Sequence, residues 1–270
     1  MGILRALFRI LFKLDLAKPH YFGLRDTLLS PLGLLRGEKQ VSRQGLKWKL
    51  DLQDWIQSQI YYLGEYYTER NHLNAWLSLI KPGNYIIDIG ANIGYYSLLS
   101  AHKHDVNIIA FEPDHKNRAR LEEHLKLNTE LNSIQIQPVA LSNKTGNAFL
   151  NEHKSDNWGM SSLSTEETDR PIKTTTLDEF SKDQKLRSID LIKIDTEGHE
   201  LKIIEGGIKC IKKYRPILAI EITSQNFANI YQLLQEINYT LRTINTQGEW
   251  EKDLKRTNDN LIFFIPEEHF

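Results

Sequence analysis

The feature that most constrains this chain is a short apolar strand that runs into a glycine-containing turn and then into a helix. Residues 85–89 form the strand, residues 90–94 the turn and residues 95–104 the helix. Glycine lets the backbone turn sharply and approach a ligand closely, and the first helical turn presents free N–H groups. This unit predicts an α/β fold with a ligand site at the carboxyl end of the strand.

The alternation of strands and helices continues along the chain. Further main strands are predicted at residues 106–111, 134–138, 188–194, 217–222, 239–244 and 260–265, and helices at 69–80, 115–128, 200–213 and 227–237. Residues 146–150 and 171–176 are predicted strands that flank a polar loop, 151–170. This order implies right-handed crossovers and a mostly parallel sheet of about seven strands, which is a Rossmann-like α/β fold.

The first 60 residues differ from the rest and are predicted to form a helical N-terminal extension to a main domain at 61–270. Only residues 46–52 alternate as a strand or hairpin arm would. In residues 1–16, Arg5, Arg9 and Lys13 are spaced four apart and share a helical face. We expect this helix to pack on the domain or on a second subunit of a homodimer. Contact with a membrane surface and a substrate lid are the alternatives.

The overall charge and the cysteine content bear on location and partners. The formal net charge is −1, which argues against general nucleic-acid binding because that usually needs a basic excess. The single cysteine, Cys210, cannot form an internal disulfide. No apolar run reaches the ~20 residues that cross a bilayer. We therefore expect a cytoplasmic protein, with peripheral membrane attachment as the alternative.

Two carboxylates define the predicted cofactor site. Asp88 stands at the end of the first strand, where it would repel a dinucleotide pyrophosphate but would suit a cofactor with an ammonium group and a sulfonium. Glu112 ends the next strand, and a carboxylate there can accept two hydrogen bonds from a ribose diol. Alone, Glu112 would be a surface acid. Together with the turn at 88–94, Glu112 indicates cofactor binding, and Asp88 favours S-adenosylmethionine over NAD.

A third group of polar residues follows the strand at 188–194. Asp195, Glu197, His199 and Glu200 lie within six residues, at the sheet edge where open α/β folds bind ligands. Such a group could act as a general base or hold a divalent metal. The same residue types also cap helices, and we expect some of them to do so.

These motifs resemble the FkbM family of methyltransferases. The resemblance lies in Ile-Asp-Ile-Gly-Ala-Asn-Ile-Gly at 87–94, Phe-Glu-Pro at 111–113, Val-Ala-Leu-Ser at 139–142 and Ile-Lys-Ile-Asp-Thr-Glu-Gly-His-Glu at 192–200. It implies a class I methyltransferase fold with strand order 3-2-1-4-5-7-6. It also implies S-adenosylmethionine-dependent O-methylation of a hydroxyl on a sugar, glycan or polyketide-type product.

Site roles follow from this resemblance residue by residue. It implies that the cofactor is bound by Asp88, Gly90, Asn92, Gly94, Glu112, Ala140 and Leu141, with Asp195 beside the methyl group. The family has no fixed set of acceptor residues. From their position in the loop at 151–170, we expect acceptor contacts from His153, Trp158 and Ser161.

The sequence leaves open how the acceptor loses its proton. The candidate bases are Asp195 first, then His199 and Glu221. The alternative is Mg²⁺ held by Asp195, Glu197 and Glu221, although metal-free catalysis is favoured because no clear ligand string is present. An NAD-dependent oxidoreductase and a non-catalytic nucleotide-binding module are the rival functions. Methylation of nucleic-acid bases is not expected, because the fourth strand is not followed by an Asp/Asn-Pro-Pro-Tyr string.

Overall fold

The computed structural model of the chain describes residues 2–12, 15–151, 162–164, 168–222, 225–252 and 261–269. The strands are β1 Glu38–Arg43, β2 Leu46–Asp51, β3 Tyr85–Ile89, β4 Asn107–Phe111, β5 Ile134–Gln137, β6 Ala140–Leu141, β7 Gly146–Asn151, β8 Ser162–Ser164, β9 Pro171–Thr175, β10 Leu191–Ile194, β11 Ile217–Glu221, β12 Tyr239–Ile244, β13 Trp250–Glu251 and β14 Leu261–Pro266. The helices are α1 Gly2–Leu11, α2 Tyr21–Leu24, α3 Trp55–Leu63, α4 Arg70–Leu79, α5 Tyr95–Lys103, α6 His115–Leu127, α7 Leu177–Asp183, α8 Glu200–Gly206, α9 Ile208–Tyr214 and α10 Phe227–Gln235. Among the described helices, none has the length and apolar character needed to cross a membrane.

The main sheet confirms the α/β class predicted from the sequence. Its strand order is β13-β12-β14-β11-β10-β3-β4-β5. The five strands β11, β10, β3, β4 and β5 are parallel to one another, and β14 is antiparallel to both β11 and β12. The sheet has eight strands rather than the predicted seven. The additional one, β13, is a two-residue edge strand in a polar stretch with no apolar run to reveal it.

Side chains of the central strands alternate between two hydrophobic cores, one on each face of the sheet. In β3, Ile86 enters the first core, whereas Ile87 and Ile89 enter the second. This period of two is the geometry of a β-strand. Because both faces are covered, the parallel strands are nearly continuous apolar runs, and a charged residue within one of them needs a partner.

The N-terminal residues pack into the first of these cores and are not all helical. The hairpin β1–β2, with Val41 opposite Trp48, adds antiparallel structure to the predicted helical extension. Trp48 is fully buried, and its ring lies 4.9 Å from that of His124 on α6. The hairpin is therefore fixed on the helix that follows β4, and the N-terminal region shares its core with the sheet.

Two local features were not predicted. The expected helix at 200–213 is broken into α8 and α9 at Gly206, where a Cβ atom would lie 2.0 Å from the Ser142 carbonyl oxygen. Helix α7 precedes β10 and is capped by Thr176, whose hydroxyl accepts a hydrogen bond from Glu179 N. The predicted strands around the polar loop are confirmed as β7 and β9. Together with β6 and β8 they form a second, four-stranded sheet in the order β6-β9-β7-β8.

Candidate active site

Four parallel strands end at one edge of the main sheet and bring four carboxyl groups to one cavity. Asp88 lies in β3, Glu112 follows β4, Asp195 follows β10, and Glu221 ends β11. Backbone hydrogen bonds hold the strand ends together; for example, Asp195 N donates to the Ile89 carbonyl at 3.0 Å. The sequence placed these residues at the same edge, and the structure confirms that placement.

The glycines of the first turn are required by protein packing. Gly90 has φ +80°, and a Cβ atom on it would lie 1.8 Å from the Asp195 carbonyl oxygen. Gly94 has φ +86°, and its Cβ atom would lie 2.2 Å from Leu121 and 2.4 Å from Leu98. Gly90 lines the cavity, but Gly94 does not. The structure therefore gives Gly94 a role in the packing of α5 on α6, and the ligand contact at Gly94 stays a prediction.

Asp88 is a buried carboxylate with one bonded oxygen and one unbonded oxygen. Its side chain is 2% exposed. Ser97 Oγ donates to Oδ2 at 2.5 Å, whereas no described residue donates to Oδ1. Burial raises the pKa of Asp88, although the Lys193 charge and the Ser97 hydrogen bond oppose that rise. Since leaving a buried acceptor unpaired costs about 1–3 kcal/mol, Oδ1 marks a place where the cavity favours a donor.

Glu112 is held in place by backbone amides on both of its oxygens. Asn92 N donates to Oε2 at 2.7 Å, and Asp114 N donates to Oε1 at 2.8 Å. Asn92 adopts left-handed backbone geometry, with φ +53°, which directs its N–H to the carboxylate. Burial raises the pKa of Glu112 to about 8, against the two amide bonds. Each oxygen keeps a further lone pair that can accept from a ligand hydroxyl.

An apolar wall lies on the Glu112 side of the cavity. Ala140 and Leu141 of β6 contribute to it as predicted, together with Leu150 and Leu163. Leu150 and Leu163 are paired across β7 and β8, so the small sheet covers this end of the cavity. The predicted acceptor residues His153, Trp158 and Ser161 lie outside the described residues.

Lys193 is a buried cation at the centre of the acidic group, and the sequence analysis missed it. It is 4% exposed, its Nζ lies 2.7 Å from Asp195 Oδ2, and it sits 4.7 Å from the Tyr96 ring centroid. Burial alone would lower the pKa of Lys193, but the Asp195 and Asp88 charges outweigh it and raise that pKa. The sequence did offer a signal for this residue, because Lys193 is a lysine inside the otherwise apolar strand Leu191–Ile194. A charged side chain in a strand that is buried on both faces requires a partner of opposite charge.

Asp195 and Glu221 are two carboxyl groups close enough for each to shift the pKa of the other. The Asp195 charge, followed by burial, raises the pKa of Glu221 to about 9. Burial opposes ionisation of Asp195, but the Lys193 charge and the Glu221 hydrogen bond outweigh it and lower the pKa of Asp195. At neutral pH Asp195 is therefore ionised and Glu221 holds the proton.

The acidic turn after Asp195 divides into a cavity residue and a structural residue. Glu197 lines the cavity in left-handed geometry, with φ +53°. Although the residue is exposed on its outer side, partial loss of solvent inside the cavity and the Asp195 charge raise its pKa to about 7. Glu200 Oε1 accepts hydrogen bonds from Thr196 N, Thr196 Oγ1 and Gly198 N at 2.9–3.2 Å. Glu200 therefore closes this turn from the first residue of α8, whereas the residue before that helix, His199, makes no side-chain capping hydrogen bond.

The structure corrects two predictions about catalysis. His199 Nε2 lies 2.9 Å from Ser142 Oγ, and the ring does not line the cavity. Burial lowers the pKa of His199 to about 4. His199 is thus not placed to take a proton there. Within the described ranges, no three acidic, histidine or cysteine side chains are arranged to hold a metal ion. Magnesium at Asp195, Glu197 and Glu221 therefore has no support, since Lys193 already neutralises Asp195.

Two residues from the N-terminal side complete the acidic end of the cavity, and sequence reasoning missed both. Tyr66 and Glu69 line it, and Glu69 Oε2 accepts a hydrogen bond from Tyr96 Oη at 2.8 Å. Burial, followed by the charges of Glu69, Asp195 and Glu221, raises the pKa of Tyr66 well above its usual value. The density of tyrosine and glutamate at residues 61–69 was the only signal in the sequence.

Comparison with known proteins identifies the class of enzyme. The family model described as the methyltransferase FkbM domain matches residues 88–241, which is more than half of the chain. The chain belongs to the FkbM methyltransferase family. It is therefore an enzyme that transfers methyl groups, and neither hydride transfer nor a purely non-catalytic role describes its class. The match begins at Asp88 and spans Glu112, Asp195 and Glu221, and it leaves out Tyr66 and Glu69.

Curated relatives and a solved structure agree with this family. The chain is 25% identical to the hexuronic acid methyltransferase AglP of Haloferax volcanii, with 87% of this chain and 96% of the relative covered. It is 28% identical to the 2-O-methyltransferase NoeI of Sinorhizobium fredii, with 51% of this chain and 63% of the relative covered. The crystal structure of methyltransferase FkbM from Methylobacillus flagellatus shares the fold, with a TM-score of 0.52, 20% identity, and coverage of 76% of this chain and 52% of that one.

Proposed function

We propose that the protein is an S-adenosylmethionine-dependent O-methyltransferase that acts on a hydroxyl group of a sugar, glycan or polyketide-type product. One observation supports this most directly. Two buried carboxylates, Asp88 and Glu112, line the same cavity, and each has acceptor capacity that the protein does not use. They match the two ends of a cofactor that carries an ammonium group and a ribose diol.

The residues that line the cavity fit this methyl donor. Asp88 Oδ1 would accept from the ammonium group, and Glu112 would accept from the ribose hydroxyls. Gly90 and Asn92 would border the amino-acid part, and Ala140 with Leu141 would contact the adenine. When bound, S-adenosylmethionine supplies a methyl group on a positively charged sulfonium. The carboxylates around the cavity favour that positive charge.

The acceptor hydroxyl must lose its proton as it attacks the methyl carbon, and Asp195 is the proposed base. Lys193 keeps Asp195 ionised through the 2.7 Å contact, while Glu221, the second carboxyl group, is protonated and neutral. Proton removal by a positioned carboxylate contributes about 10²–10⁴ in rate. The larger requirement is alignment of the hydroxyl oxygen with the methyl group, which the cavity walls would provide.

The acidic end of the cavity supports a hydroxyl-rich acceptor. Tyr66, Glu69 and Glu197 add hydrogen-bonding groups beside Asp195 and Glu221, and carboxylates accept readily from sugar hydroxyls. The names of two relatives point the same way: one is a hexuronic acid methyltransferase and the other a 2-O-methyltransferase. Contacts from His153, Trp158 and Ser161 remain a prediction.

Two measurements test this function. Isothermal titration calorimetry on the full chain should show binding of S-adenosylmethionine and S-adenosylhomocysteine, and no binding of NAD. Incubation with labelled methyl donor and a panel of neutral glycosides, uronides and phenolic polyketides should add a mass of about 14 to at least one hydroxyl compound. Binding of NAD alone would overturn the cofactor assignment, and methylation confined to amines or carboxylates would overturn the hydroxyl assignment.

A further inference from the structure

The segment before α4 presents two polar side chains to the cavity as a unit. Tyr66 and Glu69 flank a short 3₁₀ turn, Tyr67–Glu69, and Glu69 N donates to the Tyr66 carbonyl at 3.1 Å. Side chains three residues apart in a 3₁₀ helix lie one above the other. Tyr66 and Glu69 both line the cavity, whereas Tyr67 between them does not. We call this segment the 66–69 turn.

The 66–69 turn is fixed to the helix that follows the glycine turn. Tyr66 N donates to Tyr95 Oη at 2.9 Å, and Glu69 Oε2 accepts from Tyr96 Oη at 2.8 Å. Tyr95 Oη in turn donates to Gln44 Oε1 at 3.0 Å. Tyr95 and Tyr96 are the first two residues of α5. The 66–69 turn is therefore held in place by its backbone N–H and by one carboxylate oxygen, and not by the Tyr66 hydroxyl.

Tyr66 and Glu69 have complementary hydrogen-bonding roles. Burial and nearby carboxylates raise the pKa of Tyr66 well above its usual value, so its hydroxyl keeps its proton at neutral pH. Thr68 lowers that pKa and so faces the phenol as a donor, which leaves the phenol proton for another partner. Tyr96 Oη and His72 Nδ1 both approach Oε2 of Glu69, at 2.8 and 3.6 Å, and Oε1 keeps its acceptor capacity.

This donor and acceptor lie beside the proposed base. Asp195 and Glu221 line the same cavity as Tyr66 and Glu69, and they are close enough to the Tyr66 phenol to act on its pKa. An acceptor whose reacting hydroxyl reaches Asp195 therefore brings its adjoining atoms to the 66–69 turn.

We propose that Tyr66 and Glu69 bind a second hydroxyl group of the acceptor, on the carbon next to the methylated position. Tyr66 donates to the oxygen of this hydroxyl, and Glu69 accepts a hydrogen bond from it. The acceptor is then a sugar-type vicinal diol, because a phenol with one isolated hydroxyl would leave both groups unpaired. This assignment rests on the proposed function, since it requires a hydroxyl acceptor.

Methylation kinetics with the full chain test the assignment. The probes are neutral methyl hexopyranosides; for the one that the parent methylates fastest, the two analogues that lack a hydroxyl next to the methylated position are added. One analogue should lose at least about tenfold in kcat/KM, since a site built to bond a hydroxyl rejects a compound without it.

Tyr66→Phe and Glu69→Gln identify the groups that bind this hydroxyl. On the intact glycoside, Tyr66→Phe should lower kcat/KM by about tenfold and Glu69→Gln by about 10- to 100-fold, chiefly through KM. On the deoxy analogue either variant should lose little more than the parent does. Tyr66→Phe keeps the backbone bond to Tyr95, so its melting temperature and its Kd for S-adenosylmethionine should match the parent.

The matched control is Tyr67→Phe, which removes the neighbouring phenol hydroxyl of the same turn. The Tyr67 ring lies 5.3 Å from the Arg70 guanidinium, outside the cavity, so the parent kinetics should persist. Equal rates on the glycoside and both deoxy analogues, unchanged kcat/KM in Tyr66→Phe and Glu69→Gln, or fastest methylation of a phenol with one isolated hydroxyl would each overturn the assignment and leave the proposed function standing. Absence of hydroxyl methylation throughout the panel would overturn the proposed function, and the assignment with it.

Discussion

Asp88→Asn should separate cofactor binding from folding. The substitution keeps the shape of the side chain but removes its negative charge. Ser97 Oγ, now 2.5 Å from Oδ2, can still bond to an amide at this position. Lys193 loses a nearby charge but keeps Asp195 at 2.7 Å. Because ionised Asp88 is costly to bury and the neutral amide is not, the free energy of unfolding should change by no more than about 1 kcal/mol.

Binding of S-adenosylmethionine should fall steeply in the same variant. A hydrogen bond to a charged group is worth about 1.5–3 kcal/mol, and breaking a buried ion pair costs about 3–5 kcal/mol. Asp88 is 2% exposed, so solvent cannot replace its interaction with the ammonium group. A loss of about 2–4 kcal/mol corresponds to an increase in Kd of about 30- to 700-fold.

Calorimetry and thermal unfolding measure the two effects side by side. The matched control is Asp54→Asn, which alters another aspartate that is 2% exposed. Asp54 caps α3 by accepting from Gln57 N at 2.8 Å, and asparagine caps equally well. This control should keep both the parent Kd and the parent melting temperature. If Asp88→Asn bound S-adenosylmethionine as tightly as the parent while remaining folded, the proposed ammonium site would be wrong.

Three further variants test the remaining geometry. Gly90→Ala should lower the free energy of unfolding, measured in urea, by about 3–5 kcal/mol, because the new Cβ atom meets the Asp195 carbonyl. The control Gly83→Ala, at φ +85° with no atom within 4 Å, should lower it by only about 1 kcal/mol. Equal losses in the two variants would refute the clash at Gly90. Asp195→Asn should reduce kcat by about 10²–10⁴, and full turnover by the folded variant would exclude Asp195 as the base. The pKa of Glu221 is raised to about 9. Keeping Glu221 protonated in the folded state therefore costs no stability below its ordinary pKa, and the cost grows as pH rises towards 9. Between about pH 6 and 9.5 the melting temperature of Glu221→Gln should fall less than that of the parent, and an equal fall in both proteins would contradict the protonated state assigned to Glu221.

The sequence predicted the central part of the fold and half of the site because those features are local. Strand β3, its turn and helix α5 are contiguous, and their apolar run, glycines and helical periodicity can be read directly. Asp88, Glu112 and Asp195 each stand at the end of a buried strand. Since parallel strands end at one edge of a sheet, three separate segments could be assigned to one cavity without knowing any distance.

Tertiary structure decided the other half, because its partners are distant in the chain. Tyr66 and Glu69 come from a segment more than a hundred residues before Asp195, and no spacing rule links them. Lys193 was visible as a lysine in an apolar strand, but its pairing with Asp195 appears only when the side chains are placed. His199 shows the reverse: its neighbours in sequence suggested catalysis, whereas its ring faces Ser142.

The glycines show the physical reason for this division most clearly. The sequence alone placed glycines at positions 90 and 94 in a turn between a predicted strand and a predicted helix. It could not say what approaches each one. The structure shows the Asp195 carbonyl at Gly90 and Leu121 with Leu98 at Gly94. Local sequence determines which backbone conformations are available, whereas packing between distant segments decides what each residue contacts.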